Sequence, residues 1–306
     1  NNMIECSKVW RKENREVHKF LRAIGFSDIT KKDLEMILDE VITRPEIMKI
    51  TKDSEGNEFA ELSGSFAANA GITVRGTYQE DDSFHMDYYY PYVFGTSITT
   101  NEQIDVEKHA EKESYAGVCD EVNLGVTLIF YIQNVADYLA ETNRHLSKIH
   151  YGAMLAGLST EGKILCPVVE RKKNDVPAIQ KNDRHNQLIA QAREGDEDAI
   201  ESLTLEDMDT YALLSQRVMK EDIFSIVKST FMPFGIESDQ YTVLGEIIDC
   251  VTMENKLTHE KLYGMKLLCN NIQFDVCINE KDLLGEPAIG RRFRGNVWMQ
   301  GNLCLE

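Results

Sequence analysis

"IHYGAMLAGLSTEGKILCPVV", residues 149–169, holds two apolar runs separated by Ser159, Thr160, Glu161, Gly162 and Lys163. Small, polar and charged residues between apolar runs are turn signals. The segment therefore reads as a β-hairpin turning at "STEGK", and the sheet it belongs to ends near Val169.

Upstream, "GITVRGTYQEDDSFHMDYYYPYVFG" (71–95) reads as a second hairpin about "EDDS". In its second arm Phe84, Met86, Tyr88, Tyr90, Tyr92 and Phe94 recur at period two. That row is expected to pack on the apolar stripe of "DLEMILDEVI" (33–42). "VNLGVTLIFYIQN" (122–134), apolar on both faces, reads as a central strand. Five helical stretches accompany these strands. Thr30 with Asp33 forms an approximate capping box ahead of Leu34, Ile37, Leu38 and Val41, and Pro45 closes that helix. Thr100 with Gln103 is expected to open a helix through "EQIDVEKHAEKES" (102–114), and Asn134 to cap "VADYLAETNRHL" (135–146). Further on, "HNQLIAQAREGDEDAIESL" (185–203) breaks at Gly195, and Thr204 with Asp207 caps "LEDMDTYALLSQRVM" (205–219).

Downstream, "ERKKNDVPAIQKNDR" (170–184) is charged, poor in large apolar residues and broken by Pro177, which makes it a linker. Four strand-like runs follow: 223–236, 241–253, 261–278 and 291–303. Their spacing suits a small barrel or meander. The expected fold class is α+β. Residues 1–16 form a disordered or non-native extension, 17–169 a mixed sheet-and-helix domain, 170–221 a charged linker and helical connector, and 222–306 a β-rich barrel or meander. Val17 is the expected natural start.

Of the 306 residues, 42% are hydrophobic and 27% charged, with net charge −18. Such an acidic chain repels nucleic acid and anionic membranes at long range, so any phosphate-binding surface must be a local patch. The longest apolar run, "LGVTLIFYI" (124–132), is too short to cross a bilayer. Seven cysteines without a CxxC pair read as reduced, packed thiols in a cytoplasmic protein. No nucleophile elbow, P-loop, dinucleotide-binding GxGxxG or HExxH occurs, so neither a cofactor nor a metal is implied. "GDEDAIESLTLEDMD" (195–209) lacks the order of a calcium loop and reads as a solvated helix face. Cys119 beside Asp120 and Glu121 has a local field that raises its pKa.

"GRRFRGNVWMQG" (290–301) carries the main candidate site. As a strand it puts Phe293, Val297 and Met299 on a core face, and Arg292, Arg294, Asn296, Trp298 and Gln300 on the other. Guanidinium groups beside a flat aromatic and amides suit three uses: docking on the chain's own first domain, a protein partner, or single-stranded nucleic acid or a nucleotide with bases stacked on Trp298. The expected function is non-enzymatic binding, with a protein partner favoured over nucleic acid and no membrane role. A second candidate, an enzymatic cleft, rests on His85, Asp87 and Tyr89 of the aromatic strand, the first two as an acid/base pair.

Three segments, "HKFLRAIGFSDI" (18–29), residues 203–247 and "IGRRFRGNVWMQG" (289–301), resemble an uncharacterised bacterial family, domain of unknown function 3881. The resemblance spans Val17 to about Gly301. It implies a cytoplasmic bacterial protein and carries no catalytic residue over, because the family has no assigned reaction.

Overall fold

The computed structural model of the chain describes residues 17–109, 113–144, 150–167, 191, 201–202, 227–236 and 238–305. Among them are fourteen strands, two α-helices and two short 3-10 turns. This corrects the α+β expectation: the protein is mostly β, and those two α-helices are small elements laid on sheets.

The N-terminal part opens with a 3-10 turn, Lys19–Ile24, and helix α1, Lys31–Thr43. α1 starts where the capping signal places it, with the Thr30 hydroxyl accepting from the Asp33 N–H at 3.2 Å. Leu34, Ile37, Leu38 and Val41 are all buried. Strands β1 (Ile47–Lys52), β2 (Glu58–Ala67), β3 (Ala70–Tyr78) and β4 (Phe84–Val93) follow as one antiparallel sheet in that order. The β3–β4 hairpin turns at residues 80–83 as expected, with Asp82 at φ 60.

The remaining strands are β5 (Thr100–His109), β6 (Ser114–Glu121), β7 (Val126–Ile132), β8 (His150–Leu165), β9 (Thr230–Pro233), β10 (Gln240–Glu254), β11 (Lys261–Cys269), β12 (Ile272–Asn279), β13 (Leu283–Leu284) and β14 (Arg292–Leu303). Helix α2, Val135–Asn143, links β7 to β8. Two readings are corrected here. The described part of the stretch 102–114 is not helix: residues 102–109 lie in β5 and Ser114 opens β6. Ile104 and Val106 alternate at period two, and the Thr100 hydroxyl accepts from the Glu102 N–H in a local turn beside a bulge rather than capping a helix. The "STEGK" stretch is no turn either: β8 runs through it as one 16-residue strand.

The glycine there serves packing. Gly162 faces Gly295 of β14, and a Cβ on Gly162 would lie 2.4 Å from the Phe293 ring. A Cβ on Gly295 would lie 2.5 Å from the same ring. The irregularity that Ser159 and Gly162 signal in sequence is a bulge, where Asn296 pairs with Glu161 and Val297 with Ser159, leaving Thr160 over.

β8 and β14 pair antiparallel over twelve residue couples, Arg292–Leu165 to Leu303–Ala153. Each strand changes partner along its free edge. β8 meets β5 near its start, β12 in parallel at Ala156–Ser159, and β13 near its end. β14 meets β10 over Arg292–Trp298 and β7 in parallel at Gln300 and Gly301. The meander β5–β6–β7 thus closes one five-stranded ring on the β8–β14 ribbon, and β10–β11–β12 closes another. Each meander's first strand pairs with the long strand that follows it in its own half. The third strand pairs with the long strand of the other half. Topologically the two halves are related by a pseudo-two-fold about the ribbon.

One core runs through the rings, including Phe130, Leu155, Met265, Phe274, Phe293 and Met299. A second lies between the four-stranded sheet, α1, the first 3-10 turn and the outer face of the ribbon, and it contains Trp298. A polar clamp adds to it. Arg75 of β3, fully buried, donates to Glu61 at 3.2 Å, to the hydroxyls of Tyr88, Tyr90 and Tyr131, and to the carbonyls of Ile132 and Gln133. The other Glu61 oxygen accepts the Ala136 N–H at the start of α2. Glu61 therefore caps α2, where Asn134 was expected to. The Asn134 side chain instead exchanges hydrogen bonds with Leu303 at 3.0 and 2.9 Å.

Candidate functional site

The outward face of β14 meets three different fates along its length. At one end Arg292 is buried, donating to the carbonyls of Cys166 at 2.9 Å and Val227 at 2.6 Å. At the other end Trp298 and Gln300 lie inside the protein. The Trp298 ring stacks on Phe20 at 5.2 Å and lies 5.1 Å from His18, while its N–H donates to Asp239 at 2.7 Å. Gln300 accepts from Gln133 at 2.8 Å and donates to the Pro91 carbonyl at 2.9 Å. Docking on the chain's own N-terminal part is therefore what these two residues do.

Between the ends, Arg294 and Asn296 line an open pocket of about 390 Å³. Strand pairing sets its floor in two rows. In the first, Leu284 of β13, Lys163 of β8 and Arg294 of β14 are direct neighbours. In the second, Glu161, Asn296 and Thr242 of β10 are neighbours. Directly opposed residues on an antiparallel pair share a face, so the two cations stand side by side. Gly162 and Gly295 separate the rows and contribute only backbone to the lining. The second row is internally satisfied: the Thr242 hydroxyl donates to the Asn296 carbonyl oxygen at 2.6 Å, and the Asn296 amide donates to Glu161. Phe234, just after β9, and Leu284 line the pocket with exposed apolar side chains.

Of the residues lining this pocket, sequence reasoning named Arg294 and Asn296 as candidates and did not name Lys163, Thr242, Phe234 or Leu284. These come from four separate strands or loops, and Lys163 sat in a stretch read as a turn. Only the pairing brings them together.

The second candidate set is not assembled into a cleft. His85 and Asp87 lie 3.9 Å apart on β4, with the histidine side chain 54% exposed. Tyr89 is buried in the second core, its hydroxyl accepting from the His18 N–H at 3.0 Å. The tyrosine row splits as well: Tyr88 and Tyr90 turn their hydroxyls to Arg75 instead of covering α1. Elsewhere, Lys108, Ser54 and Tyr115 converge on Glu113. Burial works against the ionised carboxyl, but these three hydrogen bonds hold its pKa below the usual range. That cluster pins the β1–β2 turn to β5 and β6.

The cysteines within the described residues are free thiols. Burial first, and then Glu121, Glu102 and Asp120, push the Cys119 thiol up to about 12, so it is held as the inert thiol. Among the described residues no group of three or more His, Cys, Asp and Glu side chains is gathered for a metal, and no helix is long and apolar enough to cross a membrane. The acidic run 195–209 and the helix expected at 205–219 lie outside the described residues, apart from Glu201 and Ser202. Residues 1–16 lie outside them too.

Residues 21–301 match the family described as "Domain of unknown function, E. rectale Gene description (DUF3881)". The chain belongs to that family. No curated protein and no solved structure matches the chain. The match spans the four-stranded sheet, both rings and the whole pocket, so pocket and family share one folded body.

Proposed function

We propose that this family member is a non-enzymatic binding protein whose contact surface is the pocket beside Arg294, and that it engages a protein partner there. The observation that carries the reading is the division of the β14 face. Arg294 is left lining an open pocket walled by Phe234 and Leu284, while Trp298 is stacked inside against Phe20. Arginine and exposed aromatic side chains are the usual anchors of protein interfaces. Recognition of single-stranded nucleic acid needs an accessible ring for base stacking, and the burial of Trp298 weighs against it. A reaction at His85 and Asp87 is weakened by their place on an exposed part of β4. A bacterial cytoplasmic setting fits the same reading, given the free thiols.

The test is capture from native lysate, with and without nuclease, by the whole chain and by Arg294→Glu and Phe234→Asp variants of unchanged thermal stability. A specific protein companion, insensitive to nuclease and reduced at least about tenfold by either variant, is expected; a factor of ten corresponds to about 1.4 kcal/mol. A companion that nuclease removes, or one that both variants retain, would overturn the reading.

A further inference from the structure

We propose that the open edge of β1 is a second docking site, which takes an extended, acidic segment of another protein as an added strand. This goes beyond the binding reading above, since no residue of β1 lines the pocket. Among the described residues β1 ends the four-stranded sheet and pairs with β2 alone. Antiparallel pairing alternates: one residue gives both backbone groups to its neighbour strand, and the next turns them the other way. The Asp53 N–H bonds the Asn57 carbonyl at 3.0 Å, which fixes the phase, so Ile47, Lys49 and Thr51 bond β2. Met48, Ile50 and Lys52 therefore turn their N–H and C=O groups outward. The Lys52 carbonyl agrees with this phase, accepting from the Asn143 side chain of α2 at 2.8 Å. That bond closes one end of the edge. It leaves open the N–H and C=O of Met48 and Ile50 and the N–H of Lys52, an unpaired row that is a template for a further strand.

The side chains of the same three residues share one face. Met48 is 50% exposed and Ile50 43%. Lys52 enters no ion pair among the described residues, Glu58 opposite it on β2 included. Lys49, on the other face, is already held by Asp137 at 2.6 Å. Charge selects the occupant, because β1 carries these two lysines and no acid. A second copy would set β1 against β1 and bring the lysines of both onto one seam, between two chains of net charge −18. An acidic segment instead places a carboxylate opposite Lys52. Every pair in this sheet is antiparallel. In that register the segment reads acid–x–apolar–x–apolar from its N-terminus, with the acid opposite Lys52 and the apolar residues opposite Ile50 and Met48.

The test is fluorescence anisotropy on the full chain with acetyl-Glu-Thr-Val-Thr-Val carrying a C-terminal fluorophore. Saturable binding is expected. N-methylation of both valines, whose N–H groups face β1, should weaken it at least about tenfold, while N-methylation of both threonines should not. The protein is untouched in that comparison, so misfolding cannot produce the result. Lys52→Glu should shift the preference at least about tenfold towards the peptide that begins with Lys. Absence of saturable binding, equal loss on either methylation, or an unchanged charge preference in Lys52→Glu overturns the proposal. Sedimentation velocity supplies the remaining arm with Ile50→Pro, which removes an outward N–H and spares the β2 ladder. A dimer of the parent chain that this variant dissolves would assign the edge to a second copy and overturn the acidic partner.

Discussion

At the scale of single residues, position in the packed chain overrides residue type. Trp298 and Arg294 are two places apart on one face, yet one is stacked on Phe20 and the other lines a pocket. His18 shows the same control over its chemistry. Burial first, then the neighbouring Lys19, lower its pKa from 6.5 to about 4. The folded state therefore favours the neutral ring. The stability this contributes is complete above about pH 6.5 and is lost as the pH falls from 6.5 towards 4. Comparing urea denaturation of the parent and His18→Asn, which keeps an acceptor for the Phe20 N–H, isolates the effect. Across that window the parent should lose more stability, by on the order of 1–3 kcal/mol after allowing for the ring's partial exposure. Gly162→Ala tests packing directly. Its Cβ would meet Phe293, so a loss of about 1–3 kcal/mol is expected, and Phe293→Leu in the same chain should recover part of it.

At the scale of elements, the four-stranded sheet is held to the β7–α2 corner by a buried ion pair whose terminal guanidinium nitrogens are hydrogen-bonded, while the Arg75 Nε is buried without a partner. Replacing one partner leaves the other charge buried without compensation. Arg75→Met should therefore cost about 3–5 kcal/mol, and adding Glu61→Gln should cost far less than the sum of the two single changes. A double-mutant cycle by denaturant titration reads this out. Additive losses would show that the pair is not coupled. How much of each element is legible from sequence differs for a physical reason. α1 carries its own instructions, because Thr30 bonds Asp33 three positions on and the Leu34–Val41 stripe recurs every one to three positions. β5 does not: its acidic, polar composition is equally at home in an exposed helix, and it becomes a strand by pairing with β6 and β8.

At the scale of the whole molecule, the β8–β14 ribbon joins segments that lie more than a hundred positions apart, on either side of residues 168–226. The two rings share it, so neither can open without losing strands of the other. Native-state hydrogen exchange should therefore find the amides of 156–159 and 297–301 exchanging only through global unfolding, with a single transition for both rings. Cutting the chain at a protease site engineered after residue 180 should leave two fragments that co-elute on gel filtration without denaturant. Separation into two independently folded pieces would contradict the shared ribbon.

The sequence by itself determined the family, the first helix with its cap, the β3–β4 hairpin and the identity of Arg294 and Asn296 as residues of interest. Each of these depends on local spacing or on a motif that survives intact along the chain. Only the tertiary structure decided that "STEGK" is a bulge within one long strand, that the fold is mostly β, that Trp298 is interior, and that Lys163 and Arg294 are cross-strand neighbours. The first and the last are consequences of a single long-range pairing between β8 and β14. Glycines that make room for Phe293 look the same in sequence as glycines that make turns, until the strand opposite them is known.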